Sequence, residues 1–251
     1  MVNYQGVYSM EFSNKVIVIS GTNSGIGRVC AQSLIECGSF VVGLDIKIST
    51  IEHERYSHFK IDIRDEKAVI ELADYIAERF GRIHGLVNCV GIYASEKPFY
   101  EIELNEWNNV ISSNLTGMFI ISKYITRKML PFKDGKIVNI SCIRSSIFRP
   151  KMADYAASKS AVVAFTSAMA LDLKEFNIQV NSVAPGFTYT GMTQKPFDNP
   201  EIRKFSESII PVGRIAEPED IANVVFFLLS DKANYINGET IFVDGGFRIE
   251  K

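Results

Sequence analysis

The chain has little that would hold a metal or a polyanion. Among its 251 residues are three histidines, His53, His58 and His84, without metal-ligand spacing, so no metal site is expected. The four cysteines, Cys30, Cys37, Cys89 and Cys142, match neither a disulfide framework nor a zinc pattern. Reduced thiols in a cytoplasmic protein fit that spacing best. Charge of either sign is not in excess: 27 Lys and Arg face 29 Asp and Glu, and no basic stripe is present. This argues against nucleic acid and against a membrane surface as partner. No apolar run approaches the roughly 20 residues that span a bilayer. The opening MVNYQGVYSMEF lacks the basic and apolar segments of a secretory signal. Residues 1–13 read as a short surface arm. No linker, repeat or low-complexity stretch divides the chain, so 1–251 is expected to be a single domain.

What the sequence does have is alternation. Short, mostly apolar, β-branched runs at 16–20, 40–45, 59–61, 85–88, 136–141, 178–183 and 240–243 read as strands. Between them lie helical periods to about 37 and at about 65–80, 104–129, 153–176 and 218–229. Strands without a polar face imply a parallel sheet covered on both sides. The expectation is an α/β fold, a Rossmann-type doubly wound domain with a seven-stranded parallel sheet and helices on both faces. Ligands in such sheets sit beyond the carboxyl ends of the strands, where strand order switches.

The first strand runs into Ser20-Gly21-Thr22-Asn23-Ser24-Gly25-Ile26-Gly27. Glycines at this spacing tighten the turn and let backbone amides approach a pyrophosphate at the helix N-terminus. Glycine-rich loops are common, and the position between first strand and first helix gives this one its weight. Asp45 closes the second strand, where a carboxylate can accept from both ribose hydroxyls of NAD and repel the 2′-phosphate of NADP. A turn or capping role is the plainer alternative, and Lys47 nearby softens the repulsion. NAD is therefore favoured over NADP. Asp62 and Ile63, after the third strand, are placed at the adenine side.

Tyr155 and Lys159 open a predicted helix and share one face. A phenol has an ordinary pKa of about 10. A neighbouring ammonium and a positively charged nicotinamide both favour the phenolate, so such a tyrosine can exchange a proton with a carbonyl or alcohol oxygen. Alone, a Tyr–Lys pair is more often a solvated helix face.

Taken together, these motifs resemble the short-chain dehydrogenase/reductase family from Lys15 to Gly246. The family's glycine loop is Ser20 to Gly27, with Ser20 for the usual threonine; its NNAG motif is Asn88-Cys89-Val90-Gly91. Its helix asparagine is Asn114, its YxxxK pair is Tyr155 and Lys159, and its PG motif is Pro185-Gly186, followed by Thr188 and Thr190. The resemblance implies that Tyr155 is the general acid/base and that Lys159 tunes it and holds the nicotinamide ribose. It implies that Asn114 positions a proton-relay water, and that Asn88, Val90, Gly91, Pro185, Gly186, Thr188 and Thr190 lie along the cofactor. It also implies a homo-oligomer, dimer or tetramer, built on the helices at 104–129 and 153–176 and on the C-terminal strand.

One position departs from the family. Its serine, thirteen residues before the tyrosine, is Cys142 here. Ser141 should face the other way, because neighbouring strand residues alternate. A thiol is a weaker hydrogen-bonding group than a hydroxyl. Cys142 is expected to act as a slower serine, unless Ser145 or Ser146 reaches in from the following loop; a nucleophilic cysteine is the less favoured alternative. Substrate choice in the family depends on the segments at 143–154 and about 187–208. The first carries Arg144, Arg149 and Lys151 beside Phe148 and Met152. These cations are either surface charge or a grip for a substrate carboxylate. The expected activity is hydride transfer between NAD(H) and a secondary alcohol or ketone, a cyclic or acidic one being the guess. The alternative is a cofactor-binding sensor or scaffold with little catalysis.

Overall fold

A computed structural model describes residues 11–250. The strands are β1 Val16–Ser20, β2 Phe40–Asp45, β3 Tyr56–Lys60, β4 Gly85–Asn88, β5 Gly135–Ile140, β6 Ile178–Pro185 and β7 Thr240–Val243. They form one seven-stranded parallel sheet in the order β3-β2-β1-β4-β5-β6-β7. The helices are α1 Gly25–Glu36, α2 Glu66–Phe80, α3 Leu104–Ile111, α4 Gly117–Met129, α5 Ala153–Asp172, α6 Gln194–Phe197, α7 Pro200–Ser208 and α8 Pro218–Leu229.

Strand β1 is buried along its whole length, which is why it carries no polar face. Its alternate residues serve two cores. Ile17 and Ile19 pack with Cys30 and Leu34 of α1 and Val225 and Phe226 of α8. Val16 and Val18 pack with Val69 and Ile76 of α2, Ile121 and Ile125 of α4, and Met169 of α5. Each such side chain contributes about 1.5–3 kcal/mol through burial, so both faces are strongly specified. A third, smaller cluster joins Phe197, Ile210 and Ile215 to Phe187 and Tyr189, and fixes α6 and α7 over the sheet's carboxyl edge.

The chain winds outward from β1 to β3, then returns to lay β4 on the other side of β1, with Ser20 opposite Asn88. The strand order switches at this point, and the two strand ends diverge into a cleft.

Several local expectations are corrected. Strand β3 begins at Tyr56 rather than at 59; as an edge strand with only half-buried residues, it lacks the continuous apolar run that marks the others. The helix expected over 104–129 is interrupted by a π-helical turn, Ser112–Thr116. The helix expected over 153–176 ends at Asp172, and Lys174–Phe176 forms a 3-10 turn before left-handed Asn177. Helices α6 and α7 were not anticipated, although Asn199 and Pro200 are a start signal: the Asn199 side chain accepts from the Glu201 and Ile202 amides. Of the expected surface arm, residues 1–10 lie outside the described residues, while Phe12 is fully buried in the α1–α8 core and its carbonyl accepts from Ser39 Oγ. No helix among the described residues is long and apolar enough to cross a membrane.

Candidate active site

A cleft of about 1150 Å³ runs along the carboxyl ends of the strands from β2 to β6. At one end it is lined by Gly21, Asn23, Ser24, Gly25, Ile26 and Gly27 of the turn into α1. The turn is tight enough that only glycine fits its third position: a Cβ on Gly27 would lie 2.3 Å from the Gly21 carbonyl oxygen. Ser24 makes no side-chain cap and α1 has no acidic residue in its first turn, so the positive end of the helix faces the cleft unanswered. Asn23 Oδ1 is buried without a hydrogen-bond partner among the described residues. Unspent amides, a helix N-terminus and a spare acceptor are a donor set that fits the pyrophosphate and ribose of a dinucleotide.

Next to this turn stands Asp45. Its Oδ2 accepts from the Asn23 amide and its Oδ1 from the Lys47 amide, each at 3.0 Å, so the carboxylate is held at the cleft edge. Asp62 and Ile63 also line the cleft. Asp62 is already engaged: Arg64 forks onto it from Nε and Nη2, the latter at 2.6 Å, and holds its carboxyl below the usual range. This ion pair is partly exposed and contributes little stability by itself.

Val90 and Gly91 line the wall beyond β4, but Asn88 does not. Asn88 is buried, donating from Nδ2 to Ser122 Oγ and Asn139 Oδ1. Asn114 is likewise withdrawn from the cleft. The π-helical turn buries it completely and spends its carboxamide on the backbone of Ile92 and on Ser158 Oγ. The carboxamide thereby clamps the segment after β4 against α5. Gly91 lies between, with room for a Cβ only 3.3 Å from Lys159 Nζ.

Tyr155 and Lys159 both line the cleft from the first turns of α5, each almost fully buried. Lys159 Nζ donates to the Ile140 carbonyl at 2.9 Å and sits 5.9 Å from the centre of the Tyr155 ring. Burial pushes the lysine pKa down and drives the tyrosine pKa well above its ordinary value, with Cys142 adding to the latter rise. Among the protein's own groups burial is the largest influence on the phenol and favours its protonated form, while the Arg144 guanidinium acts the other way. Tyr93 packs against the phenol with ring centroids 5.5 Å apart.

Cys142 follows β5 in extended conformation and faces the cleft with Tyr155. Ser141 is buried and turned to α5, donating to the Lys159 carbonyl. Ser145 and Ser146 do not reach in: their hydroxyls return to the Cys142 and Ile143 carbonyls. Arg144 and Arg149 line the cleft, whereas Lys151 is exposed outside it. Pro185, Gly186, Thr188 and Thr190 form the far wall. A side chain at Gly186 would meet Asp244 Cα at 2.7 Å, so the glycine lets the end of β6 pass the turn after β7.

Sequence reasoning missed Asp154, fully buried, which accepts from the Ser95 and Tyr155 amides and so anchors the loop after β4 to the start of α5. The segment 187–208, expected to bear on substrate choice, brings Lys195, Phe197 and Ile202 into the cleft lining from α6 and α7, helices that the sequence reading did not resolve.

This fold and cleft define a dinucleotide-binding α/β protein. The family model described as enoyl-(acyl carrier protein) reductase matches residues 21–248. The chain is 33% identical over 249 residues to the 3-oxoacyl-(acyl-carrier-protein) reductase of Thermotoga maritima, covering 96% of this chain and all of that one. Among solved structures, the ligand-free aldohexose dehydrogenase of Thermoplasma acidophilum superposes with a TM-score of 0.90 at 31% identity, covering 95% of each chain. A gluconate 5-dehydrogenase from Burkholderia cenocepacia, solved with NADP and tartrate, does so with a TM-score of 0.87 at 29% identity, covering 96% of this chain and 98% of that one. The chain belongs to the short-chain dehydrogenase/reductase family of oxidoreductases.

Proposed function

We propose that the protein moves hydride between NAD(H) and a secondary alcohol or ketone, with Tyr155 as general acid/base. The observation that carries this reading is that Tyr155, Lys159 and Cys142 share one wall of the cleft that begins at the glycine turn of α1. The bound nicotinamide supplies or accepts the hydride. Tyr155 Oη gives its proton to the carbonyl oxygen in reduction and takes it back in oxidation. Burial keeps that proton in place until a substrate oxygen arrives. Lys159, fixed on the Ile140 carbonyl, supplies positive charge beside the phenol and a donor toward the ribose. Cys142, next to the phenol, offers Sγ to the same substrate oxygen. Asn114 acts as a positioning residue through Ile92 and Ser158. Gly21, Asn23, Ser24, Gly25, Ile26 and Gly27 receive the pyrophosphate; Asp62, Ile63, Val90, Gly91, Pro185, Gly186, Thr188 and Thr190 flank the rest. Asn88 supports this wall from behind.

NAD is preferred over NADP in this reading because a 2′-phosphate would meet the Asp45 carboxylate, held rigidly by two amides. Lys47 in the same lining, and the NADP bound to the gluconate 5-dehydrogenase, favour the other cofactor. Exposed Leu104, Phe119 and Leu171 on α3, α4 and α5 support assembly of copies into a homo-oligomer. Four unpaired cysteines support a cytoplasmic setting.

The test is NADH and NADPH absorbance with a panel of secondary alcohols and ketones. Turnover with NADH exceeding that with NADPH is expected. Tyr155→Phe should lower kcat by about 10²–10⁴, the usual contribution of a proton-transfer group, while dinucleotide binding by fluorescence is retained. Retained turnover in that variant removes the tyrosine from the mechanism. A second reading, a sensor or scaffold that binds cofactor without turnover, is favoured only by the weaker thiol at 142, and dinucleotide binding without absorbance change across the panel would establish it.

A further inference from the structure

We infer that Arg144 is the recognition group for a substrate carboxylate, so that the preferred substrates are hydroxy acids and their oxo acids rather than neutral alcohols. This rests on the functional reading above and names the substrate class of the same cleft. Arg144 lies two residues after Cys142, in the 3-10 turn Ile143–Ser145 that leaves β5. Only 9% of it is exposed, yet it lines the cleft. Its single hydrogen bond is a long one from Nη1 to the Ile147 carbonyl, 3.4 Å, and Nε and Nη2 have no hydrogen-bond partner among the described residues. No carboxylate pairs with it there.

A guanidinium that is little exposed and opens only onto a cleft cannot shed its charge by deprotonation, and its free donors are met there by water or by an entering anion. The neighbouring charges do not supply one. Glu96 lines the same part of the cleft but pairs with Arg149 at 3.7 Å, and both are largely exposed. The groups that act electrostatically on Arg144 are Cys142, Tyr93, Tyr155 and the like-charged Arg149. Three of those neighbours are neutral while protonated, and the fourth is repulsive. An entering carboxylate would complete the guanidinium's fork with two parallel hydrogen bonds. Because Cys142 and Tyr155 flank Arg144, an acid gripped there would present its carbinol carbon beside the phenol. The planar, two-donor head selects a carboxylate; a phosphate ester is the competing anion.

The experiment compares 2-, 3- and 5-hydroxy acids with their matching amides, plus a sugar phosphate, in turnover with NAD and in calorimetric binding to the NADH-loaded protein. The wild type should favour acid over amide by at least tenfold in kcat/KM and in affinity. Arg144→Gln should lower that ratio at least tenfold and Arg144→Lys partly restore it, while NADH binding persists as the check on folding. Lys151→Gln, which removes a nearby cation outside the cleft, should leave the ratio unchanged. An acid-to-amide ratio near one in the wild type, or one unmoved by Arg144→Gln, overturns the inference, as does tighter binding of the phosphate than of any acid. Turnover confined to amides and neutral alcohols would sink this inference and leave the hydride-transfer reading standing. Carboxylate binding that depends on Arg144, without turnover of any compound, would do the reverse.

Discussion

The Cys142 thiol stands thirteen residues before Tyr155, where the family places a serine. Sulfur is larger than oxygen and donates more weakly, so in the proposed mechanism a substrate oxygen would be held less firmly as charge builds on it. Loss of a well-placed donor costs roughly 10²–10³ in rate in other enzymes, and the thiol forfeits part of that. The structure closes the escape routes, since Ser141, Ser145 and Ser146 all spend their hydroxyls on carbonyls. Cys142→Ser should therefore keep kcat or raise it by up to about tenfold, within the range such a donor commands. A large fall in a folded, dinucleotide-binding Cys142→Ser protein would give the thiol a role that a hydroxyl cannot fill.

At the scale of elements, β1 and β4 are joined by more than their ladder. His84, at the entrance to β4, accepts the Val16 amide on Nδ1 at 3.0 Å. Burial comes first, and Arg82 and Lys15 follow, in holding its pKa down from 6.5 to about 4. The unfolded chain protonates this imidazole near pH 6.5, while the folded protein resists until about pH 4. Below 6.5 the unfolded state binds the extra proton, so stability rises with pH across that window and is lost as pH falls. The contribution is constant above it. A His84→Gln variant should be less stable at pH 7 and show a flatter decline of Tm between pH 6.5 and 4 than the wild type. Parallel declines would mean that His84 does not carry the difference.

At the scale of the whole molecule, exposed apolar side chains are spread over many elements, three of which are the long helices of the proposed assembly. Leu104 is 72% exposed on α3, Phe119 44% on α4 and Leu171 72% on α5. Scattered exposed apolar residues are ordinary, and a continuous apolar patch would favour association, so the assembly proposed on these helices is decided by mass. Light scattering should give a mass that is a multiple of the 28.1 kDa chain, and Leu171→Glu should shift it toward 28.1 kDa. A wild-type mass equal to one chain would dismiss the proposed assembly.

The succession of strands along the chain and the glycine turn at Gly21 to Gly27 were legible in the sequence, because both depend on local patterns. Apolar runs without alternation demand two covered faces, and glycine is required where Gly27 approaches the Gly21 carbonyl. Tyr155, Lys159 and Asp45 were legible for the same reason, since helix spacing and a strand end fix where they point. What tertiary structure alone decided lies where side chains compete for partners. The partners of Asn114 are one case: a π-helical turn buries its carboxamide against Ile92 and Ser158. Arg144 and Arg149 are the same residue type five positions apart, and only packing distinguishes them: Glu96 answers one, while the other is buried facing the cleft without an acid. Desolvation and pairing depend on the surroundings in three dimensions, which no spacing in the chain encodes.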